Sequence, residues 1–281
     1  MWRDFLMVKI TALVENTSLS PEYKSKHGLS LYIETTSHKI LFDLGSNDLF
    51  VENAEKVGID IRTIDTVVIS HGHTDHAGAL RKFLEINSTA KIYIKESAFD
   101  KHYTKVMGIP FYVGADIKLK DNRQFIFTSD SYMIDKELRL FSGIKGRKLF
   151  SQSNNKLLTK KNHKFVLDSF DHEQYLVIEN ENQKVLISGC SHNGIVNIME
   201  EMQRAASGNF THVIGGFHLF NPISKKYEKD ELIRDVAECL KQYNCKYYTC
   251  HCTGPKAYKK MKEIMGERLN YLSTGSRLKI E

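Results

Sequence analysis

Three histidines and one aspartate fall within the six residues His71–His76, whose sequence is HGHTDH. The motif directly follows the apolar run TVVIS, which predicts a buried strand that ends in a metal-binding loop. Neutral imidazole nitrogens and carboxylate oxygens are good ligands for zinc and, in other geometries, for iron or manganese. His71 and His73 would share one ion, whereas Asp75 and His76 would face a second ion close to the first. The motif predicts a two-metal site; a histidine-rich surface turn is the alternative.

The pattern H-x-H-x-D-H after an apolar strand resembles the metallo-β-lactamase superfamily. The upstream segment Lys39–Gly45 is similar to that superfamily's early strand, which ends in an aspartate, and the resemblance covers the whole chain. It implies an α/β fold, the metallo-β-lactamase-like αββα four-layer sandwich. In that superfamily the aspartate supports the metal loop, so the resemblance assigns this role to Asp43, because a ligating histidine needs an acceptor for its other ring nitrogen. A turn aspartate beside Gly45 is the alternative.

A second strand-like run, Lys184–Ser188, leads into the segment Gly189–Gly194. Many relatives carry an aspartate here that bridges both metals, and Cys190 occupies that position in this chain. A thiolate is softer than a carboxylate, and His192 offers a harder nitrogen donor two residues later, so His192 is the predicted ligand. Cys190 is either a ligand as well or a small buried side chain, and both interpretations stay open.

A further strand-like run near the C-terminus, Lys246–Gly254, contains His251. The superfamily places its last metal histidine at such a strand end, so the resemblance makes His251 a metal ligand. Cys250 and Cys252 flank it and would point to the opposite face if the strand continued, so they are not predicted ligands. A separate zinc cluster of cysteines is the alternative, although the sequence lacks the C-x-x-C spacing of structural zinc sites.

Two other histidines have open roles. His172 precedes the strand-like run Tyr175–Glu179 and lies where many superfamily members have another metal histidine. His218 follows two glycines that permit close approach to a ligand, which makes it a candidate catalytic or substrate-binding residue. A surface or capping histidine is the alternative for each. Asp75 is also a candidate catalytic residue, because a ligating carboxylate can orient bound water.

Length and composition favour one enzyme domain over residues 1–281, since 281 residues of which 41% are hydrophobic can bury a substantial core. The segment Met1–Lys9 carries charged residues, and no apolar run reaches the roughly 20 residues that span a bilayer. Neither a signal peptide nor a membrane is therefore expected. Five cysteines, an odd number without a secretory signal, indicate reduced thiols and a cytoplasmic location.

The periodicity of apolar residues predicts an alternation of strands and helices. Strands are predicted near residues 7–15, 29–34, 38–43, 66–70, 91–95, 175–179, 184–188, 211–214 and around residue 251. Helices are predicted at residues 49–57, 77–86, 195–206, 228–243 and 255–265. Two helix-covered sheets, with ligands supplied from strand-end loops along one edge, form the layered arrangement that this pattern allows.

Residues 101–170 fit this alternation poorly, because they contain several glycines and only short apolar runs, and we predict an insertion or lid there. The segment has fourteen Lys and Arg against six Asp and Glu, a net charge of +8, whereas the whole chain carries +6. A basic lid above a metal site suits an anionic substrate, with Lys145, Arg147 and Lys148 as candidate substrate-binding residues. A solvated basic face is the alternative.

Three segments narrow the resemblance to the branch around the archaeal dihydropterin ribofuranosylaminobenzene phosphate synthase: Gly189–Ile195, Gly215–Leu219 and His251–Gly254. The implied reaction joins a dihydropterin methyl diphosphate to a phosphorylated ribofuranosyl arene and releases diphosphate. We therefore expect an enzyme with about two Zn²⁺ per chain, Mn²⁺ or Fe being alternatives. It would act on a phosphorylated or diphosphorylated small molecule by hydrolysis or transfer. A metal-dependent nuclease is one alternative, although the chain lacks the added nucleic-acid domain usual in such relatives; an iron-binding redox or sensor protein is another.

Overall fold

Two seven-stranded sheets packed face to face form the centre of the molecule. The structure, a computed structural model, describes residues 7–179, 183–205 and 208–280. Most of the predicted charged N-terminal segment (residues 1–6) and the last residue of the helix predicted over 195–206 lie outside the described residues. The strands in chain order are β1 (Val8–Val14), β2 (Ser30–Glu34), β3 (Lys39–Phe42), β4 (Thr66–Val68), β5 (Lys91–Ile94), β6 (His102–Val106), β7 (Ile109–Tyr112), β8 (Phe125–Phe127), β9 (Ser131–Met133), β10 (Leu138–Ser142), β11 (Leu157–Lys161), β12 (Lys164–Leu167), β13 (Gln174–Glu179), β14 (Lys184–Ile187), β15 (His212–Gly215), β16 (Phe220–Asn221), β17 (Lys226–Tyr227), β18 (Lys246–Thr249), β19 (Leu269–Tyr271) and β20 (Arg277–Ile280).

Helices cover the outer face of each sheet. They are α1 (Leu49–Val57), α2 (Thr74–Ala77), α3 (Leu80–Ile86), α4 (Ile195–Ala205), α5 (Asp230–Lys241) and α6 (Pro255–Met265). Helix α5 shows why these segments pack as they do: Ile233, Val236, Ala237 and Leu240 recur at helical spacing and are buried, which gives one apolar face. No helix within the described ranges is both long and apolar enough to span a membrane.

The first sheet has the strand order β20-β1-β2-β3-β4-β5-β8, and the second has the order β19-β18-β15-β14-β13-β10-β9. In the first sheet β3, β4, β5 and β8 are parallel, and in the second β14, β15, β18 and β19 are parallel. The inner parallel strands β4 and β14 are buried along their whole length, and both are rich in apolar residues, as parallel strands covered on both faces are. Ligands in open sheets of this kind bind beyond the carboxyl ends of the parallel strands.

Three apolar cores define four layers. One core lies between the sheets and combines residues such as Ile40 and Phe42 of the first sheet with Leu176 and Ile187 of the second. A second core packs α1 and α3 on the first sheet, and a third packs α4, α5 and α6 on the second. The predicted αββα four-layer sandwich is confirmed.

The predicted insertion at 101–170 is narrower in the structure. Strand β8 extends the first sheet, and β9 and β10 extend the second, so these strands belong to the sandwich itself. The rest of the segment forms a separate four-stranded antiparallel sheet, in the order β12-β11-β6-β7, which we call the inserted sheet. A short hairpin of β16 and β17 stands apart from it. Strands β8, β9 and β10 were wrongly assigned to the insertion because they are only three to five residues long, which is too short for an apolar period to be recognised.

The single helix predicted over residues 77–86 is replaced in the structure by two short helices, the first of which begins earlier. The chain turns helical at Thr74, three residues earlier, and α2 ends before Gly78, after which α3 begins at Leu80. The backbone N–H of Ala79 donates to Gly45 rather than continuing α2. Because the helix begins early, Asp75 and His76 lie on a helical turn directly after residues 69–73, which we call the metal loop.

Candidate metal centre

The histidine-rich site lies where the carboxyl ends of parallel strands from both sheets meet. The loop after β4 carries His71 and His73, and the loop after β14 carries Cys190 and His192. His218 follows β15 in the same way, and His251 follows β18, while Asp43 follows β3. Residues up to about two hundred positions apart in sequence therefore converge because their strands run in the same direction.

One group of donors consists of His71, His73 and His192, whose ligating atoms lie within 4.8 Å of one another. We call it group A. His73 Nδ1 lies 3.1 Å from His192 Nε2. All three side chains are buried.

Hydrogen bonds fix which nitrogen of group A is free. The Ser70 hydroxyl donates to Asp43, so it must accept from His71 Nδ1 at 2.8 Å, which leaves His71 Nε2 with its lone pair and without a partner. Asn154 donates its amide to the carbonyl of His192, so its Oδ1 accepts from His192 Nδ1 at 3.0 Å, and Nε2 is again free. Acceptors of this kind orient metal-binding imidazoles.

A second group, group B, consists of Asp75, His76, Cys190 and His251. His76 Nε2 lies 3.2 Å from both Cys190 Sγ and His251 Nε2. Asp75 Oδ2 is 3.2 Å from His251 Nε2 and 3.6 Å from His76 Nε2. Four potential ligand atoms therefore face one point.

The imidazoles of group B are held like those of group A. Asp43 Oδ2 accepts from His76 Nδ1 at 2.6 Å and from the Ser70 hydroxyl at 2.7 Å, while its Oδ1 accepts from the Ser70 backbone. Asn16 donates its amide to the His251 carbonyl, so its Oδ1 accepts from His251 Nδ1 at 2.9 Å. Each Nε2 is thereby left for a cation.

The donor spacing fits shared metal ions. Two nitrogens bound to one zinc at about 2.0–2.1 Å lie roughly 2.9–3.4 Å apart when the bond angle is between about 90° and 110°. The observed nitrogen separations of 3.1 Å in group A and 3.2 Å in group B fall within that range. Facing lone pairs at this distance repel each other unless a proton or a metal cation lies between them, so both groups suit a divalent cation.

Electrostatics differ between the groups. Burial lowers the pKa of His71, His73 and His192 well below the usual value, so these rings are neutral near pH 7, as ligands must be. In group B, burial opposes charge, yet the carboxylates of Asp43 and Asp75 raise the pKa of His76 to about 9. The charge of His76 and hydrogen bonds from His251 and His27 outweigh burial and hold the pKa of Asp75 well below its usual range.

The family model that matches this chain is that of the metallo-beta-lactamase superfamily, over residues 26–200. The chain belongs to this superfamily. The matched region includes all of group A and every group B donor except His251.

Two full-length relatives and one partial relative are informative. The 7,8-dihydropterin-6-methyl-4-(beta-D-ribofuranosyl)-aminobenzene-5'-phosphate synthase of Methanocaldococcus jannaschii is 28% identical and covers 97% of this chain and 96% of its own length. The crystal structure of Tm1679, a metal-dependent hydrolase of the beta-lactamase superfamily, superposes with a TM-score of 0.82 at 29% identity, covering 98% and 99% of the two chains. An anaerobic nitric oxide reductase flavorubredoxin of Aliivibrio salmonicida is 30% identical over 44% of this chain and 23% of its own.

Cys190 and His192 are not competitors in the structure of this superfamily member. His192 belongs to group A, whereas Cys190 belongs to group B and also lies with His192 and His218 in a third set of donor atoms within 4.8 Å. The sulfur therefore stands at the boundary between the two groups. Burial raises the pKa of the Cys190 thiol, so a cation would be needed to hold it as a thiolate.

Several residues of the site adopt left-handed backbone conformations that side-chain-bearing residues rarely take. Asp43, Ser191, His218 and His251 have φ values between 49° and 59°. Such conformations cost about 1–3 kcal/mol each and persist where the surrounding structure imposes them. Strand β18 thus ends before His251, and the prediction that Cys252 points away from the site by strand alternation is wrong: Cys252 lines the same cavity as His251.

The predicted ligand role of His172 does not fit its hydrogen bonds. The backbone N–H of Gly72 donates to His172 Nδ1 at 3.0 Å, so the ring proton is on Nε2, which faces Asp168 Oδ2 at 3.3 Å. No lone pair of the ring is left for a metal ion. His192, two residues beyond Cys190, contributes the third nitrogen of group A instead.

Sequence reasoning missed three residues that shape the site. His27 Nε2 lies 3.1 Å from Asp75 Oδ2, and the His27 ring stacks on His251 at 4.8 Å. Two buried glutamates hold the backbones of the histidine loops: Glu15 accepts from the N–H of His251, and Glu173 accepts from that of His192, both at 2.6 Å. The one available signal was an acidic residue directly after or before an apolar strand.

A cavity of about 440 Å³ opens on both groups. Its floor includes Asp75, His192, His218 and Cys252. Its walls include the apolar residues Val113, Leu157, Pro222 and Ile223, contributed by the region of the inserted sheet and by the β16–β17 hairpin.

The basic residues predicted to bind substrate lie elsewhere. Lys145, Arg147 and Lys148 are exposed and do not line this cavity. Arg147 donates to backbone carbonyls of Ile144 and Gly146, and Lys148 pairs with Glu200 at 3.2 Å, so both have local partners. Among the described residues that line the cavity, Lys26 is the one lysine or arginine. The high net charge of residues 101–170 therefore did not predict where their basic side chains lie in the structure.

Proposed function

We propose that this protein is a dinuclear zinc enzyme that acts on a phosphorylated or diphosphorylated small molecule, by hydrolysis or by transfer with release of diphosphate. One observation carries the proposal: two adjacent groups of buried, metal-competent donors open on a single small cavity. The superfamily membership supports it, and so does the similarity to two full-length relatives, a 5'-phosphate synthase and a metal-dependent hydrolase.

The proposed cofactor would be held by His71, His73 and His192 on one side, and by Asp75, His76, Cys190 and His251 on the other. When bound, a pair of ions neutralises charge on phosphoryl oxygens and lowers the pKa of water. Both actions serve hydrolysis as well as transfer.

The chain's own residues would do the rest. Within the described residues, no nitrogen or oxygen atom hydrogen-bonds to either ring nitrogen of His218, and the ring lies 4.2 Å from that of His192 at the cavity floor. His218 is thus placed to donate a proton to a leaving group or to contact an anionic oxygen. Asp75, which is held by His27 and His251, would orient the reacting water, and Lys26 would contact a phosphate that extends toward the cavity mouth.

The cavity also limits the substrate. A volume of about 440 Å³ is typical of small-molecule sites. Four apolar wall residues favour a substrate that carries an apolar or ring-containing part beside its phosphate. The nuclease alternative gains no support here, because no lysine or arginine of the 101–170 segment lines the cavity.

The deciding experiment measures metal content and activity together. Protein purified without a histidine tag or chelator would be analysed by plasma mass spectrometry and then tested against aryl phosphates, diphosphates and dihydropterin methyl diphosphate. We expect about two zinc ions per chain and phosphate or diphosphate release that His71→Ala abolishes. Metal-free, inactive protein that also fails to take up added zinc would contradict the proposal.

A redox function is the second candidate, because part of the chain matches a flavorubredoxin that is an anaerobic nitric oxide reductase. Iron in place of zinc would favour it. The same metal analysis, with an absorption spectrum recorded under nitrogen, separates the two: coloured, iron-loaded protein without phosphatase or transferase activity supports the redox candidate.

A further inference from the structure

Three buried side chains outside groups A and B form a continuous polar chain behind the metal loop. His102 Nδ1 lies 2.8 Å from Asp168 Oδ2, and His172 Nε2 lies 3.3 Å from the same oxygen. The side chains of all three are at most 2% exposed. The opposite nitrogen of His172 then accepts from the backbone N–H of Gly72, between His71 and His73.

The direction of each hydrogen bond follows from its fixed end. The carbonyl oxygen of Ser97 and the carboxylate of Asp168 can only accept, so His102 donates from both ring nitrogens, from Nε2 to Ser97 at 3.1 Å and from Nδ1 to Asp168 at 2.8 Å. The backbone N–H of Gly72 can only donate, so His172 Nδ1 accepts and its Nε2 carries the proton that is donated to Asp168. Asp168 Oδ1 accepts from the N–H of Phe170 at 2.8 Å, so both carboxylate oxygens are used.

These bonds also decide against a third metal ion. His73, His102, Asp168 and His172 have potential ligand atoms within 4.8 Å of one another. However, the ring proton of His172 faces the centre of that set, where a cation would need a lone pair. The polar atoms of His102, Asp168 and His172 are all hydrogen-bonded, whereas His73 Nε2 beside them has no partner among the described residues.

The position of the chain in the fold gives it a role. His102 begins β6 and Asp168 directly follows β12, so their contact joins the two ends of the segment that contains the inserted sheet, 66 residues apart. Gly72 packs so closely on the carbonyl of Ala98 that a Cβ there would overlap it. The metal loop therefore packs on the Ser97–Ala98 turn on one side and is hydrogen-bonded to His172 on the other.

We propose that the His102–Asp168–His172 chain is a positioning relay, which couples the base of the inserted sheet to the metal loop and holds His71 and His73 in register for group A. This inference rests on the proposed metal-dependent function. The relay implies reciprocal coupling. Binding of an ion to group A would reduce the fluctuations of the inserted sheet, and loosening of the sheet would lower the affinity of group A for its ion.

Asp168→Asn is the sharpest test, because it keeps the size of the side chain. An amide that donates to His172 Nε2 would force the ring proton onto Nδ1, where it would face the N–H of Gly72. Asp135→Asn is the matched control, since Asp135 also accepts from a histidine, His38, at 2.6 Å, but in a pair that does not contact the metal loop.

Two readouts are taken for each variant: zinc affinity by competition with a chromophoric chelator, and amide exchange of the peptides that contain residues 70–76 and 102–106. We expect Asp168→Asn to weaken one zinc ion by about 10–100-fold and to speed exchange in both peptides, with Asp135→Asn close to wild type. In the wild-type protein, zinc should slow exchange at residues 102–106, and Asp168→Asn should remove that effect.

A second pair of variants separates positioning from folding. In His172→Asn the side-chain oxygen can replace Nδ1 as acceptor for Gly72, so this variant should retain more zinc affinity than His172→Leu. Equal behaviour of Asp168→Asn and Asp135→Asn, or of the two His172 variants, would overturn the relay. Wild-type protein that binds no zinc would refute the proposed function instead, and the exchange of residues 70–76 would then decide on the relay alone.

Discussion

Groups A and B lie side by side yet are built from different chemistry. Group A offers three neutral imidazoles, whereas group B offers two imidazoles, a carboxylate and a thiol. An anionic donor attracts a divalent cation more strongly than a neutral one, particularly in a buried site. Three protein donors also leave a tetrahedral position open, which is the arrangement of catalytic zinc, whereas four donors resemble a closed site. We expect group B to retain its ion and group A to exchange its ion and meet the substrate.

The largest effects should come from removing one ligand of each group. His71→Ala and His76→Ala should each lower the metal content from about two ions per chain to about one, measured by plasma mass spectrometry. Graded dialysis against chelator should empty group A first, so His71→Ala should keep the more slowly released ion. His163→Ala, which changes an exposed histidine, is the control. Simultaneous release of both ions from wild-type protein would contradict the expectation that group B holds its ion more tightly than group A.

In the metal-free protein, His76 of group B and the three histidines of group A should contribute opposite pH dependences to stability. The folded-state pKa of His76 is raised to about 9, above its unfolded value near 6.5, so its contribution is complete below pH 6.5 and is lost as pH rises through about 9. The contribution is at most roughly 3 kcal/mol. The pKa values of His71, His73 and His192 are lowered, so these residues favour folding above pH 6.5 and oppose it as pH falls.

Urea unfolding of chelator-treated protein between pH 5 and 10 measures both slopes. His76→Gln should flatten the decline in unfolding free energy near pH 9, and His192→Gln should reduce the decline below pH 6.5. A His76→Gln variant that keeps the alkaline slope would show that another group causes it.

Intermediate effects should follow from the acceptors that orient the imidazoles. Asp43→Asn should weaken the ion of group B by about 10–100-fold, because Asp43 accepts from His76 Nδ1. Asn154→Ala should weaken only the ion of group A, because Asn154 orients His192. Asp43→Asn should also weaken the ion of group A, to a smaller extent, because Asp43 fixes the Ser70 hydroxyl that accepts from His71 Nδ1. Competition titrations resolve the two affinities, and equal weakening of both ions by Asn154→Ala would argue against separate groups.

The smallest effect concerns substrate charge rather than metal. Lys26→Met should raise KM for a phosphorylated substrate by about two- to fivefold and leave metal content unchanged, since an exposed lysine contributes little beyond a screened charge contact. Lys148→Met is the matched control, because Lys148 pairs with Glu200 outside the cavity lining. An unchanged KM in Lys26→Met would move the phosphate contact elsewhere in the cavity.

Much of the fold was predictable from the chain because strands buried on both faces have continuous apolar runs and because the amphipathic helices show a regular period. The short strands β8, β9 and β10 were missed since three to five residues carry no usable period. The lid prediction over 101–170 followed from that error.

The residues of the candidate site likewise divide into those that could be predicted from the sequence and those that could not. His71, His73, Asp75 and His76 were visible together because a strand end and one helical turn bring them close within six residues. His192 and His251 were found through strand ends and family resemblance. His27, Glu15 and Glu173 were not, because their contacts with the site span long stretches of chain, such as the 236 residues between Glu15 and His251.

The sequence by itself determined the superfamily, the layered fold and the local metal motif, because each depends on patterns of neighbouring residues. Only the tertiary structure decided which nitrogens of His71, His76, His192 and His251 are free, that Cys190 and His192 lie in different groups, and that His172 is hydrogen-bonded through both ring nitrogens. Those outcomes depend on single hydrogen bonds between distant strand ends. A hydrogen bond is set by distances of a few tenths of an ångström, which only the packed sheets fix.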